Sequence, residues 1–495
     1  MTVSSVSVVS RCLRWGASAA VACALSACAL VHEASKAPAP VAAEQIRLAS
    51  DIQLAHGDWP AGPWWRAYAD PQLDALIERA LASSPSILIA RTRVAQAKSD
   101  IDLVRAGTNL QIAALGAIDR QHVSSNGFLG AYSGDQPLIG ATGPWYTEGI
   151  VGLGASLSVD IWGKQRAQVQ AAMGVSNARR AELVAVELEL STDVAQLYYG
   201  IQTTSQLVDL LDQLHDEAAF SVDAHAARAA RGLEPKTQTE LARAHLLATQ
   251  RQIVAAQARI MQLRESLRAL LGAGPDDLPQ IRPMPLPLPQ ASLPPTLSYE
   301  LLARRPDLQA MRWYVQSSFD RIDAARAAFY PSFDIKAFFG VNALHLSDLF
   351  THASQQINLI PGLYLPIFEG GRLNANLDAA RNARNALIEQ YNQSVLDAVR
   401  DVAVTGNRLQ DLEEETNLQT QKIEAVSFAE ASAQAQYQSG VASRLAVTDA
   451  RQAVVLERIA LLDIDAQRLS QNIALTKSLG GGYNAKADAL LTDHP

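Results

Sequence analysis

The chain has 495 residues and a net charge of -8, from 42 Lys and Arg against 50 Asp and Glu, which argues against a broad basic surface for duplex nucleic acid. Hydrophobic residues make up 48% and aromatic residues 6%, and the mean hydropathy is +0.00, so much of the apolar content is alanine, a strong helix former. Past the first thirty residues no run of about 18 uncharged apolar residues occurs, which excludes a helical membrane protein.

In chain order, residues 1–27 read as a signal peptide. Arg11 and Arg14 form its positive start, and Trp15 to Ala27 is an uncharged, mostly apolar stretch too short to span a bilayer. The three cysteines are Cys12, Cys23 and Cys28. All lie in this segment or at its end, so no disulfide is expected in the mature chain. Leu25-Ser26-Ala27-Cys28 resembles a bacterial lipobox, which makes Cys28 the expected lipidation site and first mature residue. Ala29 follows it where an Asp would signal retention in the inner membrane, so the outer membrane is favoured. Residues 31–45 read as a flexible tether.

The region 76–271 reads as helix, β-hairpin, long helix, turn and return helix. Pro85 opens the leading helix. A hairpin is expected at about 110–161, because Val151, Leu153, Ala155, Leu157 and Val159 alternate with Gly152, Gly154, Ser156, Ser158 and Asp160. After Gly163 the period becomes helical, and Leu207, Leu210, Leu211 and Leu214 repeat at helical spacing. This pattern runs to Gly232, a residue suited to the left-handed position that ends a helix. Pro235 suits the start of the return helix. A Pro-rich linker, 272–297, follows.

Residues 298–479 read the same way, with a hairpin at about 332–367, a second tip at Gly440 and a tail at 480–495. Phe333, Ile335, Ala337, Phe339 and Val341 form one strand face, and Ile357, Leu359, Leu363, Leu365 and Ile367 another. Pro361 and Pro366 interrupt the last strand. Ser443 suits an N-cap. The two regions are copies of one unit. Ile101 to Ala106 matches Ile322 to Ala327 at an offset of 221, whereas Gly232 matches Gly440 at an offset of 208. The first copy therefore carries a longer loop, in the Gly- and Ser-rich stretch 124–144.

Four amphipathic strands per chain, one face apolar and the other small and polar, fit a barrel wall with lipid outside and water inside. Four strands are too few to close a barrel, and open sheet edges are not tolerated in hydrocarbon, so the chain must oligomerise. A dimer would give 8 strands and a filled interior; a trimer would give 12 and a pore, which the Gly-rich inner face fits better. Each long helix would measure on the order of 100 Å at ~1.5 Å per residue. A water-soluble sandwich on a helical stalk is the competing architecture.

Several stretches resemble TolC-like outer-membrane efflux channels, in their lipoprotein branch of the NodT and OprM type. They are Trp64-Trp65 through Asp70-Pro71 and Leu73, Asp160 to Lys164, Arg304 to Asp307, Ala324 to Ser332, and Leu365 to Arg372. The resemblance covers nearly the whole mature chain. It implies a mainly α fold with a membrane β part: four strands per chain completing a 12-stranded trimeric barrel, continued by a periplasmic helical tunnel. It makes 28–75 a lipidated tether and equatorial segment. It implies a homotrimer, a periplasmic adaptor of the membrane fusion type, a proton-driven inner-membrane pump and contact with outer-membrane lipid, without nucleic acid. The implied function is passive conduction of drugs or other small toxic compounds. A type I protein-secretion duct and a non-conducting lipid-anchored coiled-coil scaffold are the alternatives.

A channel needs no catalytic residues, cofactor or metal. No GxxxxGK[ST], HExxH or CxxC motif occurs, and His215, His225 and His245 read as isolated surface residues. The gate is expected at the tips, with Tyr437, Arg444 and Asp449 near Gly440, and Arg228, Arg231 and Glu240 near Gly232. In the family, carboxylates often lie six and nine residues after the second turn glycine. Here those positions are Ala446 and Asp449. Pro331, Gly163, Gly370 and Gly371 are expected to shape the bends between helix and strand. Trp59, Trp64 and Trp65 are expected to pack around the tunnel.

Overall fold

The computed structural model describes residues 37–41, 52, 54–135, 143–287, 292–293 and 304–483. The signal peptide, Cys28 and most of the tether lie outside the described residues, as do parts of the linker and most of the tail. The elements run β1 (Ala55–His56), α1 (Pro71–Ser83), α2 (Pro85–Ala106), β2 (Gln111–His122), β3 (Trp145–Val159), α3 (Lys164–Ala230), α4 (Lys236–Leu270) and β4 (Ser292–Leu293). Then follow α5 (Pro306–Ala327), β5 (Ser332–Ala343), β6 (Gln355–Tyr364), α6 (Arg372–Gln438) and α7 (Arg444–Ser478). The two copies match closely in length. Helices α2 and α5 have 22 residues each, α3 and α6 have 67, and α4 and α7 have 35. None of the described helices is long and apolar enough to cross a membrane.

The chain divides into two compact units. One holds Gln96–Asn177 and Trp313–Ile388, and its centre is an antiparallel sheet of order β2-β3-β5-β6. Strand β6 ends at Tyr364 rather than near Ile367. Pro366 has no N–H to extend a ladder, and Ile367 is 80% exposed beyond it. Pro361 stays within β6, opposite Ile335 of β5, in a strand with one unpaired side within a single chain. Small residues let the helices of this unit approach closely. Ser317 Oγ on α5 donates to the Ala171 carbonyl on α3 at 2.8 Å, and a Cβ on Gly174 would stand 2.9 Å from the Ser317 Cβ.

The other unit holds Pro40–Ala95, Ala178–Arg312 and Glu389–Pro495. Its main core joins Trp64, Leu73, Ile77 and Ile87 to Val194, Tyr198 and Tyr199 of α3, Leu267 of α4 and Ile473 of α7. Trp64 and Tyr68 meet edge to face at 5.9 Å, and Trp64 Nε1 donates to Ser191 Oγ at 3.1 Å. Asp70 caps α1 by accepting from the amides of Gln72 and Leu73 at 3.0 and 3.3 Å, and Pro71 takes the first helical position. The other Asp70 oxygen accepts from the Tyr198 hydroxyl at 2.8 Å. A second core gathers Leu308, Val395, Val402 and Leu475, with Trp59 packed against it. Arg305 pairs with Asp307 at 2.7 Å at the start of α5, so Arg304 to Asp307 is a structural segment.

Candidate functional site: a two-faced sheet and two helical tips

Ladder register decides which residues share a face, because residues directly opposite each other point the same way. From Ile112↔Ala155, Ala114↔Leu153 and Gly116↔Val151 the set extends through Val151↔Val341, Leu153↔Phe339 and Ala155↔Ala337. On β6 it reaches Leu363, Pro361, Leu359, Ile357 and Gln355. This face is apolar over its whole middle. Ile118, Leu153, Phe339 and Ile357 are 50% exposed or more. The reverse face carries Asp119, Glu148, Gly152, Gly154, Ser156, Ser158, Asp334, Lys336, Gly340, Asn342 and Asn358. Its glycines are functional in a packing sense. Gly152 stands opposite Gly340, and the Phe338 ring lies across both.

The bends join this sheet to the long helices. Trp162 stacks on Tyr330 at 5.0 Å and its indole N–H donates to the Pro331 carbonyl at 2.8 Å. Gly163 takes φ 77°, and Asp160 accepts from the Arg166 amide at 2.9 Å, which covers one free N–H of α3. In the second copy Gly370 and Gly371 take φ 58° and 85°. Glu369 accepts from the Tyr364 hydroxyl at 2.7 Å and pairs with Arg372. The Tyr364 bond, and then Arg372, hold the Glu369 carboxyl below the ordinary range.

Both helical tips close with the same backbone motif. Gly232 at φ 71° donates to the Ala229 carbonyl at 3.0 Å and Leu233 to the Arg228 carbonyl at 2.9 Å. Gly440 at φ 74° donates to Tyr437 at 3.0 Å and Val441 to Gln436 at 2.9 Å. These paired bonds satisfy the last carbonyls of α3 and α6, and glycine enters the left-handed region without strain. Pro235 and Ser443 occupy the N-caps of α4 and α7, but the Ser443 side chain makes no capping bond.

The first tip holds a clasp that helical periodicity alone does not reveal. Glu234 sits between His225 Nδ1 at 2.7 Å and Arg228 Nε at 2.9 Å. His225 is therefore not an isolated surface residue. Burial opposes ionisation of Glu234, but the His225 and Arg228 hydrogen bonds outweigh it and hold the carboxyl below the ordinary range. Spacing gave half of the signal for this clasp. His225 and Arg228 are three apart on one helix face, and the glycine turn reverses the chain two residues before Glu234.

At the second tip Arg444, the first residue of α7, lies over the Phe220 ring of α3 at 4.0 Å. Two helical turns further on, Arg451 reaches Glu217 of α3 at 3.4 Å and Glu430 of α6 at 3.3 Å. Arg451 thus links the two hairpins, a role absent from the sequence reading. Asp449 and Tyr437 are exposed. Among the described residues no hydrogen bond or ion pair joins Tyr437, Arg444 and Asp449 within one chain. Nor does any group of three or more His, Cys, Asp or Glu among them stand where it would hold a metal.

A family model described as outer membrane efflux protein matches residues 76–273 and 297–481. The chain belongs to the outer membrane efflux protein family. It is 55% identical over 461 residues to the multidrug resistance outer membrane protein MdtP of Escherichia coli strain K12, across 93% of this chain and 94% of that protein. It is 37% identical to the putative multidrug resistance outer membrane protein MdtQ of the same strain, across 93% of this chain and 96% of that protein. Among solved structures it resembles the outer membrane protein VceC of Vibrio cholerae, with a TM-score of 0.75 and 29% identity, over 86% of this chain and 100% of VceC. CusC, described as forming a transmembrane channel, matches with a TM-score of 0.75 and 27% identity, over 92% of this chain and 100% of CusC. As a member of this family the protein is an outer-membrane efflux protein, mainly helical with a membrane β part. The apolar face of its sheet suits contact with lipid, and the small and polar reverse face suits contact with water.

Proposed function

We propose that this chain is the outer-membrane duct of a tripartite efflux system. It conducts drugs or other small toxic compounds passively, on energy supplied by an inner-membrane pump through a periplasmic adaptor. The observation that carries this reading is the two-faced sheet with two open edges. Strands β2 and β6 each present one unpaired side, and an unpaired backbone group in hydrocarbon costs several kcal/mol. The edges are silenced when β6 of one copy pairs with β2 of the next. Three copies give a 12-stranded barrel, wider than the 8-stranded kind that side chains fill, with the Phe338 ring lying over Gly152 and Gly340. The names of MdtP and MdtQ support multidrug efflux as the cargo class.

The anchor in this reading is a lipidated Cys28. More than one acyl chain gives a stable membrane attachment, and Cys28→Ser abolishes acyl labelling if this residue is the site. The gate is a ring of three Asp449 copies at the second tip, with Arg444 and Tyr437 beside it. Ala446 removes the second carboxylate that the family pattern carries, so Asp449 bears the ring alone. The deciding experiment is planar-bilayer recording of the purified oligomer, paired with cysteine cross-linking between β2 and β6. The expected result is discrete channels from a species that cross-links to a trimer. An oligomer that never conducts, even as Asp449→Asn, would leave only the scaffold.

A further inference from the structure

Among the described residues, the lipid face of the sheet carries charge at one end only. Past the apolar pair Ile118↔Gly149, the outward rungs of the β2-β3 ladder are Arg120↔Thr147 and His122↔Trp145. The Arg120 guanidinium lies over the Trp145 ring at 5.5 Å, and the His122 ring meets the same indole edge-on at 4.9 Å. Trp145 is 54% exposed. The acids of this end, Asp119 and Glu148, stand opposite each other on the interior face, where Asn342 Nδ2 donates to Glu148 at 2.7 Å. On the β2-β3 ladder the outward rungs at this end are therefore basic and the inward ones acidic.

We propose that Arg120, with His122 and Trp145, binds the phosphate of an anionic lipid headgroup in the outer leaflet. The inference rests on the apolar face being the lipid face. Arg120 lies two residues beyond Ile118, about 6–7 Å along the strand, at the level where headgroups begin. The indole holds the guanidinium by cation–π attraction, and guanidinium N–H groups match phosphate oxygens in pairs. Trp145 is an amphipathic ring of the kind that settles at the membrane interface. The apolar rows beneath, Ile118, Val151 and Leu153, offer a surface for the acyl chain. A free anion would gain nothing from those rows, which favours a lipid as the source of the phosphate. A neighbouring copy that extends the sheet at β2 adds to its edge and leaves this face open.

The test is native mass spectrometry of the full-length assembly. It is released from nanodiscs holding either diphosphorylated lipid A or the same lipid stripped of phosphate. The phosphorylated lipid should be retained about fivefold more than the stripped one, the worth of one basic residue at an anionic surface. Arg120→Gln should erase that preference, Arg120→Lys should keep part of it, and added inorganic phosphate should not displace the lipid. Equal retention of both lipids, an unchanged preference in Arg120→Gln, or displacement by inorganic phosphate would overturn the proposal. Conductance of the same samples separates this outcome from the duct itself: a conducting channel without lipid preference fails only the lipid site, and a non-conducting wild type fails the duct.

Discussion

Single residues carry much of the logic. Asp70 divides its carboxylate between the free amides of α1 and the Tyr198 hydroxyl. Burial first, and then the Asp70 bond, push the Tyr198 hydroxyl well above its usual range, so it stays a neutral donor. Asp70→Ala should lower stability by about 1–3 kcal/mol, a lost cap plus a stranded buried hydroxyl. Thermal unfolding of the purified assembly would read this, with Asp70→Asn intermediate because an amide keeps one acceptor. Asp119 and Glu148 act differently. They face each other across the interior side of one ladder, and like charges at that spacing persist where water or cations screen them. Three copies would place six carboxylates at the mouth of the pore. Asp119→Asn with Glu148→Gln should therefore shift the reversal potential towards anions; an unchanged potential would remove these acids from the conduction path. The sequence shows Asp70-Pro71 and the Trp64-Trp65 pair as recognisable stretches but not their tasks, since Tyr198 and Ser191 lie more than a hundred residues away.

At the scale of elements, the hairpin tips close on paired backbone hydrogen bonds. Their turns follow from glycine at the left-handed position, and both were legible from Gly232 and Gly440 at one offset. The clasp on the first turn was not, because it depends on the chain reversing. Its electrostatics set a sign. Glu234 is held below its ordinary value, so its contribution is complete above the usual carboxylate range and is lost as pH falls through the depressed folded value. Protection factors of the Leu233, Glu234 and Lys236 amides, which remove the intrinsic pH dependence of exchange, should be high at neutral pH and fall once the pH drops below the ordinary carboxylate range. Glu234→Gln should be poorly protected at every pH. The strands were legible for a different reason. Alternation with period two marked an apolar face on β3, β5 and β6 before any partner strand was known, though not on β2, and it ran past the strand end to Leu365 and Ile367, where Pro366 ends the ladder. Which side chains meet across hairpins, as Arg451 meets Glu217 and Glu430, depends on helix rotation that period alone does not fix.

At the scale of the whole molecule, two copies of one hairpin unit explain the length, the alanine content and the missing apolar helix together. Alanine, glycine and serine allow close approach of long helices, as where Gly174 meets Ser317. The membrane part is spread over strands that no helical hydropathy window detects. The proposed gate belongs to this scale, because a single Asp449 on one chain would close nothing. Asp449→Asn should raise leakage through the closed channel and weaken block by cations, and single-channel records across a range of cation concentrations would check it. Identical traces would move the constriction elsewhere.

The two unpaired strand edges also have a genetic consequence. A subunit that folds but presents a spoiled edge still recruits two sound partners, and the ring it joins never closes. With spoiled and sound alleles expressed equally, random mixing leaves about one ring in eight wholly sound if closure is three-fold. Mutations that damage β2 or β6 edges without unfolding the chain should thus behave as dominant poisons, whereas those that destroy the helical core merely remove a copy and behave as recessive.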